Sequence, residues 1–190
     1  MNLRFISETE VAERLSAAQA VDALQEALLG GLDPEADAPR GAVELASGQL
    51  LVMPSTAARQ PVVKLVTVGG DPRIQGICVV FDEATLAPAA LVDGIALTNL
   101  RTAAVSALAV RHLATPDAKR LLVFGRGPQA HAHVSALRAE RPIERVDMVG
   151  RDHGNVDVLL AAAGPRFFKS TGMSWEDAVI ASAVARPTER

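Results

Sequence analysis

The strongest constraint on the fold lies between residues 120 and 149. An apolar run, Arg120–Phe124, meets the loop Gly125-Arg126-Gly127-Pro128-Gln129-Ala130; a helix-forming stretch over 128–139 and a second apolar run, Arg145–Val149, follow. Strand, glycine loop, helix and strand within about 30 residues is a parallel βαβ unit, because parallel neighbours need a crossover helix. The loop has the Gly-x-Gly-x-x-Ala form of a dinucleotide site. Its first glycine permits a tight turn, its second lets backbone approach a pyrophosphate, and Ala130 lets the helix pack close to the strand. Gly125, Gly127 and Gln129 are therefore candidate cofactor contacts, with a plain βα turn as the alternative. At the tip of the second strand stands Gly150, followed by Arg151. An Arg there favours the 2′-phosphate of NADP over NAD, although it also reads as a solvated loop Arg beside Asp152.

Size limits this reading. A six-stranded nucleotide domain takes roughly 120–150 residues, and Lys119 to Phe168 supplies 50. A cofactor held there would be NADP or NAD, unless the site has been lost, and half of its crevice is missing unless another chain supplies it.

The remainder is strand-rich. Ser7 with Glu10 and Ser16 with Gln19 have capping-box spacing and start two helices, the second ending at Gly30-Gly31. Residues 32–42 read as a loop. Strands are expected over 50–53, 62–68, 76–81 and 87–92, with Gly69-Gly70-Asp71-Pro72 as a turn. A buried helix over 101–114 precedes the linker Thr115-Pro116-Asp117. Near the end, 167–170 reads as a short strand, and Ser174 and Asp177 have the spacing to cap a last helix over 175–185.

Two cations stand out. Arg101 lies in what reads as a helix opening over 98–107, where outward-pointing backbone N–H groups and a guanidinium would together trap a carboxylate. Lys64 interrupts the apolar strand Val62–Val68. A lysine there is costly unless it reaches an edge or a polar site; an outward-facing side chain is the alternative. A carboxylate trap beside a dinucleotide loop points to an amino or imino acid substrate.

Other classes find little support. The net charge of −3 gives no case for nucleic acid or an anionic membrane. No run is apolar enough to span a bilayer, no leader stands at the N-terminus, and the single Cys78 allows no disulfide framework. A cytoplasmic protein is expected. His131 and His133, two apart on one helix, are no metal pair. Ser106 and Ser170 have no base at a recognisable spacing.

Several stretches together resemble the ornithine cyclodeaminase/mu-crystallin family. They are Val52-Met53-Pro54, Val63-Lys64-Leu65-Val66, Ile74-Gln75-Gly76, Leu100-Arg101-Thr102-Ala103-Ala104-Val105-Ser106, Val123-Phe124-Gly125-x-Gly127-x-Gln129-Ala130 and Phe168-Lys169-Ser170-x-Gly172-Met173-x-Trp175-Glu176-Asp177. The resemblance implies an α/β chain: a strand-rich dimerisation domain over 1–115, with 170–190 returning to it as a C-terminal helix, and a truncated Rossmann-like βαβ unit over 116–169. It implies a homodimer, with Arg40, Lys64 and Arg101 gripping the substrate carboxylate and Lys64 also serving catalysis. The implied chemistry is NAD(P)-linked reduction of an imine (ketimine) or cyclodeaminase-type ring closure on a small amino or imino acid. Two departures qualify it. Relatives acting on ornithine carry a glutamate where this chain has Leu51, which makes the distal pocket apolar. The stretch that would carry the family's catalytic aspartate is missing, leaving Asp152, Asp157 and Glu44 as weak candidates. The rival reading is a noncatalytic dimeric protein that binds a small carboxylate or has lost its cofactor site.

Overall fold

The computed structural model describes residues 3–150 and 172–187. It is a mixed α/β structure with two sheets. The larger has six strands: β1 (Arg4–Ile6), β2 (Gly41–Leu45), β3 (Gly48–Ser55), β4 (Val62–Val68), β5 (Ile74–Phe81) and β6 (Pro88–Asp93). Their spatial order is β1-β6-β5-β4-β3-β2, antiparallel except that β1 runs parallel to β6. Strand β4 matches the expected bounds because it is an apolar run rich in β-branched residues. Strands β3 and β5 each begin two residues earlier than the apolar pattern alone indicated.

Helices α1 (Glu8–Arg14) and α2 (Ala17–Leu29) open with the two capping boxes, Ser7 with Glu10 and Ser16 with Gln19. Helix α3 (Gly94–Leu113) lies against the sheet, with Leu97, Ala103, Ala104 and Ala107 fully buried. The last helix, α5 (Ser174–Ala185), packs on α2 and α3 and over β3 and β4, so the chain's end returns to its first sheet. One face of the sheet thus holds the core, formed by Val62, Cys78, Val80 and Val92 beneath the helices.

Helix α3 corrects one expectation. It starts at Gly94, seven residues before Arg101, and Asp93 caps it by accepting from the N–H groups of Ile95 and Ala96. A side chain at Gly94 would collide with the β5 backbone, 2.5 Å from the carbonyl carbon of Gly76, so glycine lets the helix begin tight against the strand. Arg101 is therefore two turns inside the helix, and the N–H groups around it are already spent on helical hydrogen bonds.

The second sheet contains β7 (Arg120–Phe124) and β8 (Arg145–Val149), parallel and joined by α4 (Pro128–Glu140). This is the expected βαβ unit. Helix α4 packs on α3 and α2. Arg141 at its end donates to the carbonyls of Val110, Arg111 and Ala114, capping α3 from outside.

Candidate active site

Lys64 points inward. Its β-register neighbours, Met53 on β3 and Cys78 on β5, share the helix-covered face, and the lysine is 1% exposed. Two adjacent acids on α5 meet it. Lys64 Nζ lies 2.6 Å from Asp177 Oδ2; Arg101 Nη1 donates to Glu176 Oε2 at 2.8 Å, and Arg101 Nε lies 3.2 Å from Asp177 Oδ1. All four side chains are at most 8% exposed. Four charges buried together persist because each faces an opposite one; removing a single partner would strand a charge in the core.

Burial pushes the Lys64 ammonium below the ordinary lysine value, with Asp177 opposing and Arg101 reinforcing the shift. Burial likewise pushes Glu176 above the usual carboxylate range, and Arg101 opposes it. The Cys78 thiol, beside this cluster, is pushed up to about 12.

Arg40 joins the cluster through Gly172. Its Nη2 donates to the Gly172 carbonyl at 3.0 Å. On the other side, a Cβ built on Gly172 would lie 1.8 Å from Arg101 Nη1, and the residue has φ +74°. Only glycine fits between the two guanidinium groups. Arg40 itself is exposed, at the mouth of a cleft of about 390 Å³ lined by Pro34, Asp37, Pro39, Gly172 and Ser174. Leu51 lies on the same face of β3 as Met53, two residues from the Lys64 register.

The structure thus brings together Lys64 and Arg101, singled out from the sequence, and Arg40, implied by the family resemblance. It adds Glu176 and Asp177, which the sequence reading missed. The expected Ser174–Asp177 cap does not form. Met173 is the N-cap without a side-chain bond, and the Asp177 carboxylate turns to Lys64 instead. A signal existed: from Ala178 to Ala185 the helix carries no charge. A helix apolar on all sides is buried, and acids at its start then need buried cations. Glu44, a weak candidate for the missing aspartate, is exposed on β2 and accepts from Gln49. Arg151, Asp152, Asp157, Ser170 and the strand expected over 167–170 lie outside the described residues.

At the glycine loop, Gly125 has φ +119°, and among the described residues a Cβ at Gly125 or Gly127 would have no neighbour within 4 Å. Gly127 caps α4 with no side-chain bond. Open space before the first N–H groups of a thirteen-residue helix fits a pyrophosphate. The Gln129 side chain, however, is turned to α3, donating to Asn99 Oδ1 at 2.9 Å and to the Thr98 carbonyl at 3.3 Å. The contact ties the loop helix to the turn of α3 that precedes Arg101.

Ser106 also departs from expectation. His133 comes from α4 to within 3.0 Å of its Oγ through Nε2, while His133 Nδ1 meets the Gln129 carbonyl at 2.7 Å. Spacing in sequence could not show this pair, because it forms across two helices. The Ser106 hydroxyl also lies 3.1 Å from the Thr102 carbonyl, so the contact serves to join α3 to α4. Among the described residues, no group of three or more His, Cys, Asp or Glu could hold a metal ion, and no helix is long and apolar enough to cross a membrane.

Comparison with known proteins gives the family and the fold. The profile of the ornithine cyclodeaminase/mu-crystallin family matches residues 2–163. A Delta(1)-pyrroline-2-carboxylate reductase of Bacillus cereus is 39% identical over 109 residues, which make up 53% of this chain and 34% of that protein. A Delta(1)-pyrroline-2-carboxylate/Delta(1)-piperideine-2-carboxylate reductase of Azospirillum brasilense is 33% identical over 143 residues, 70% of this chain and 46% of the relative. The Thermococcus litoralis Delta(1)-pyrroline-2-carboxylate reductase, solved with NADH and L-proline, shares the fold with a TM-score of 0.71 at 24% identity, over 79% of this chain and 50% of that one. This chain therefore spans half or less of the length of each of these relatives.

Proposed function

The chain belongs to the ornithine cyclodeaminase/mu-crystallin family, and from that premise we propose that it is an NAD(P)-linked reductase of a small cyclic imino acid. The observation that carries the reading is the buried cluster of Lys64, Arg101, Glu176 and Asp177 beside the Arg40 cleft. Three cations against two carboxylates leave one positive charge, which suits a ligand with a single carboxylate. Arg40 and Arg101 bind that carboxylate from the two sides of Gly172. Lys64 gives a proton to the imine nitrogen; burial lowers its pKa from the ordinary lysine value, which eases that transfer. Leu51, on the Lys64 face of its strand, favours a ring without a distal amine and disfavours cyclisation of ornithine. Gly125, Gly127 and the first N–H groups of α4 hold the cofactor phosphates, and Arg151 favours NADP. When bound, the nicotinamide supplies the hydride.

The functional division of the chain is a substrate and dimerisation unit over 1–115, completed by 170–190, and a nucleotide unit over 116–169. The sheet face opposite the helices supports a homodimer, because the register aligns Phe5, Leu91, Val79, Val63 and Pro54 in an apolar row across five strands. A cytoplasmic setting suits a lone buried thiol. One observation favours a second reading, a dimeric carboxylate-binding protein without turnover: among the described residues the nucleotide unit has two strands.

The test is nicotinamide oxidation with Delta(1)-pyrroline-2-carboxylate, together with titration of L-proline, NADPH and NADH. The reductase reading expects turnover and binding of both ligand classes. Binding of L-proline with no nicotinamide binding would replace it with the second reading.

A further inference from the structure

Asp177 receives two cations from opposite sides. Lys64 reaches it from β4 and Arg101 from α3, each on a different carboxylate oxygen, at 2.6 and 3.2 Å. Its side chain is 2% exposed, and among the described residues no other donor hydrogen-bonds either oxygen. Among the described residues, the titratable and charged groups around Lys64 are Asp177 from α5, Arg101 from α3 and Cys78 from β5. Glu176 joins through Arg101, and β3 contributes the neutral Met53. Of these only Asp177 meets the lysine as an anion within ion-pair distance. Arg101 repels the lysine charge and the Cys78 thiol stays protonated. An ammonium buried without a counter-ion gives up its proton.

We propose that Asp177 is the positioning residue of this site, fixing Lys64 and Arg101 in one arrangement and keeping Lys64 an ammonium that can give its proton to a bound imine nitrogen. The last step rests on the reductase reading. Reduction adds a hydride to the ring carbon, supplied by NAD(P)H, and a proton to the ring nitrogen, supplied by Lys64. The C=N π pair becomes the new N–H bond, and the neutral Lys64 amine recovers its proton from water. Asp177 touches no reacting atom and acts through Lys64 and Arg101.

The chain has three lysines, Lys64, Lys119 and Lys169, so nitrogen-15 labelling of lysine makes each side chain readable by NMR. Lys64 is expected to be an ammonium at neutral pH in the unaltered protein. In Asp177→Asn its titration midpoint falls by at least about one pH unit, and in Asp177→Glu it returns toward the original value. Lys119, paired on the surface with Glu144, stays constant in all three. A neutral Lys64 amine at neutral pH in the unaltered protein overturns the proposal, even where Asp177→Asn does not fold. So does an unmoved midpoint in folded Asp177→Asn. Parallel titration with L-proline separates the premises: absence of binding counts against the reductase reading alone, while the lysine titration still decides the role of Asp177.

Discussion

Cys78 stands opposite Lys64 in the register of β5 and β4, fully buried, with its thiol pushed up to about 12 from an ordinary value of 9.0. Its position makes it a reporter on the site. In the unfolded chain the thiol ionises near 9.0; in the folded chain it keeps its proton well beyond. Between these values the folded state binds more protons than the unfolded one, so this group makes stability fall as pH rises. The loss approaches about 4 kcal/mol by pH 12 as an upper figure. Urea denaturation from pH 8 to 12 should show that fall, and Cys78→Ala should flatten it, whatever cavity cost the substitution adds at all pH values. An equally steep fall in the variant would show that the thiol does not cause it. Lys64 acts in the opposite direction: its lowered value makes stability rise with pH below 10.5, so the two buried groups partly offset where their windows overlap.

At the scale of elements, α5 is decisive. It is buried from Ser174 through Ser182, with Trp175 4% exposed in the core and the acids beside it facing Lys64 and Arg101. Trp175→Ala removes a large packed side chain where the helix begins, and about 3–5 kcal/mol of stability should go with it, read from the urea midpoint. A cost below about 1 kcal/mol would mean that α5 docks by its charges alone. The legibility of each element follows from its burial. Strand β4 was readable because it is an apolar run rich in β-branched residues, and α1 and α2 because their caps are local. Strands β1 and β2 were not: β1 has three residues, and β2 is exposed along its whole length, with Val43 and Leu45 about half exposed. Such edges form through backbone pairing, which leaves no side-chain pattern. The start of α3 was misplaced at Thr98 because Asp93-Gly94 ends a strand and begins a helix at once. Of the site, Lys64 was legible as a costly charge in an apolar strand, Arg101 as a cation at an expected helix start, and Arg40 only through the family resemblance. Their anions were not, since Ser-x-x-Asp spacing is the same whether the acid caps its own helix or leaves it.

For the whole molecule, the open sheet face is the feature to explain. Val79, Val63 and Leu91 are half-buried on it, and Phe5 at its edge is 52% exposed. A row of this kind on a sheet ordinarily meets a second apolar layer. Light scattering should give a mass near twice the 19.9 kDa chain, and Val79→Asp, which places a charge mid-row, should halve it while leaving helix content intact. A monomer before substitution would remove the dimer from the reading.

The pairing of Lys64 with Asp177 also imposes an order on the making of the protein. More than a hundred residues separate them in sequence, so a growing chain on the ribosome displays the finished β4, and then α3, long before the acids exist. Until α5 is released, Lys64 and Arg101 lack Glu176 and Asp177, and burying them costs more than leaving them in water. The first sheet therefore cannot close stably on its own during synthesis. Its final consolidation waits for the last helix, and premature termination before Trp175 would yield a chain marked for removal, not a smaller working protein.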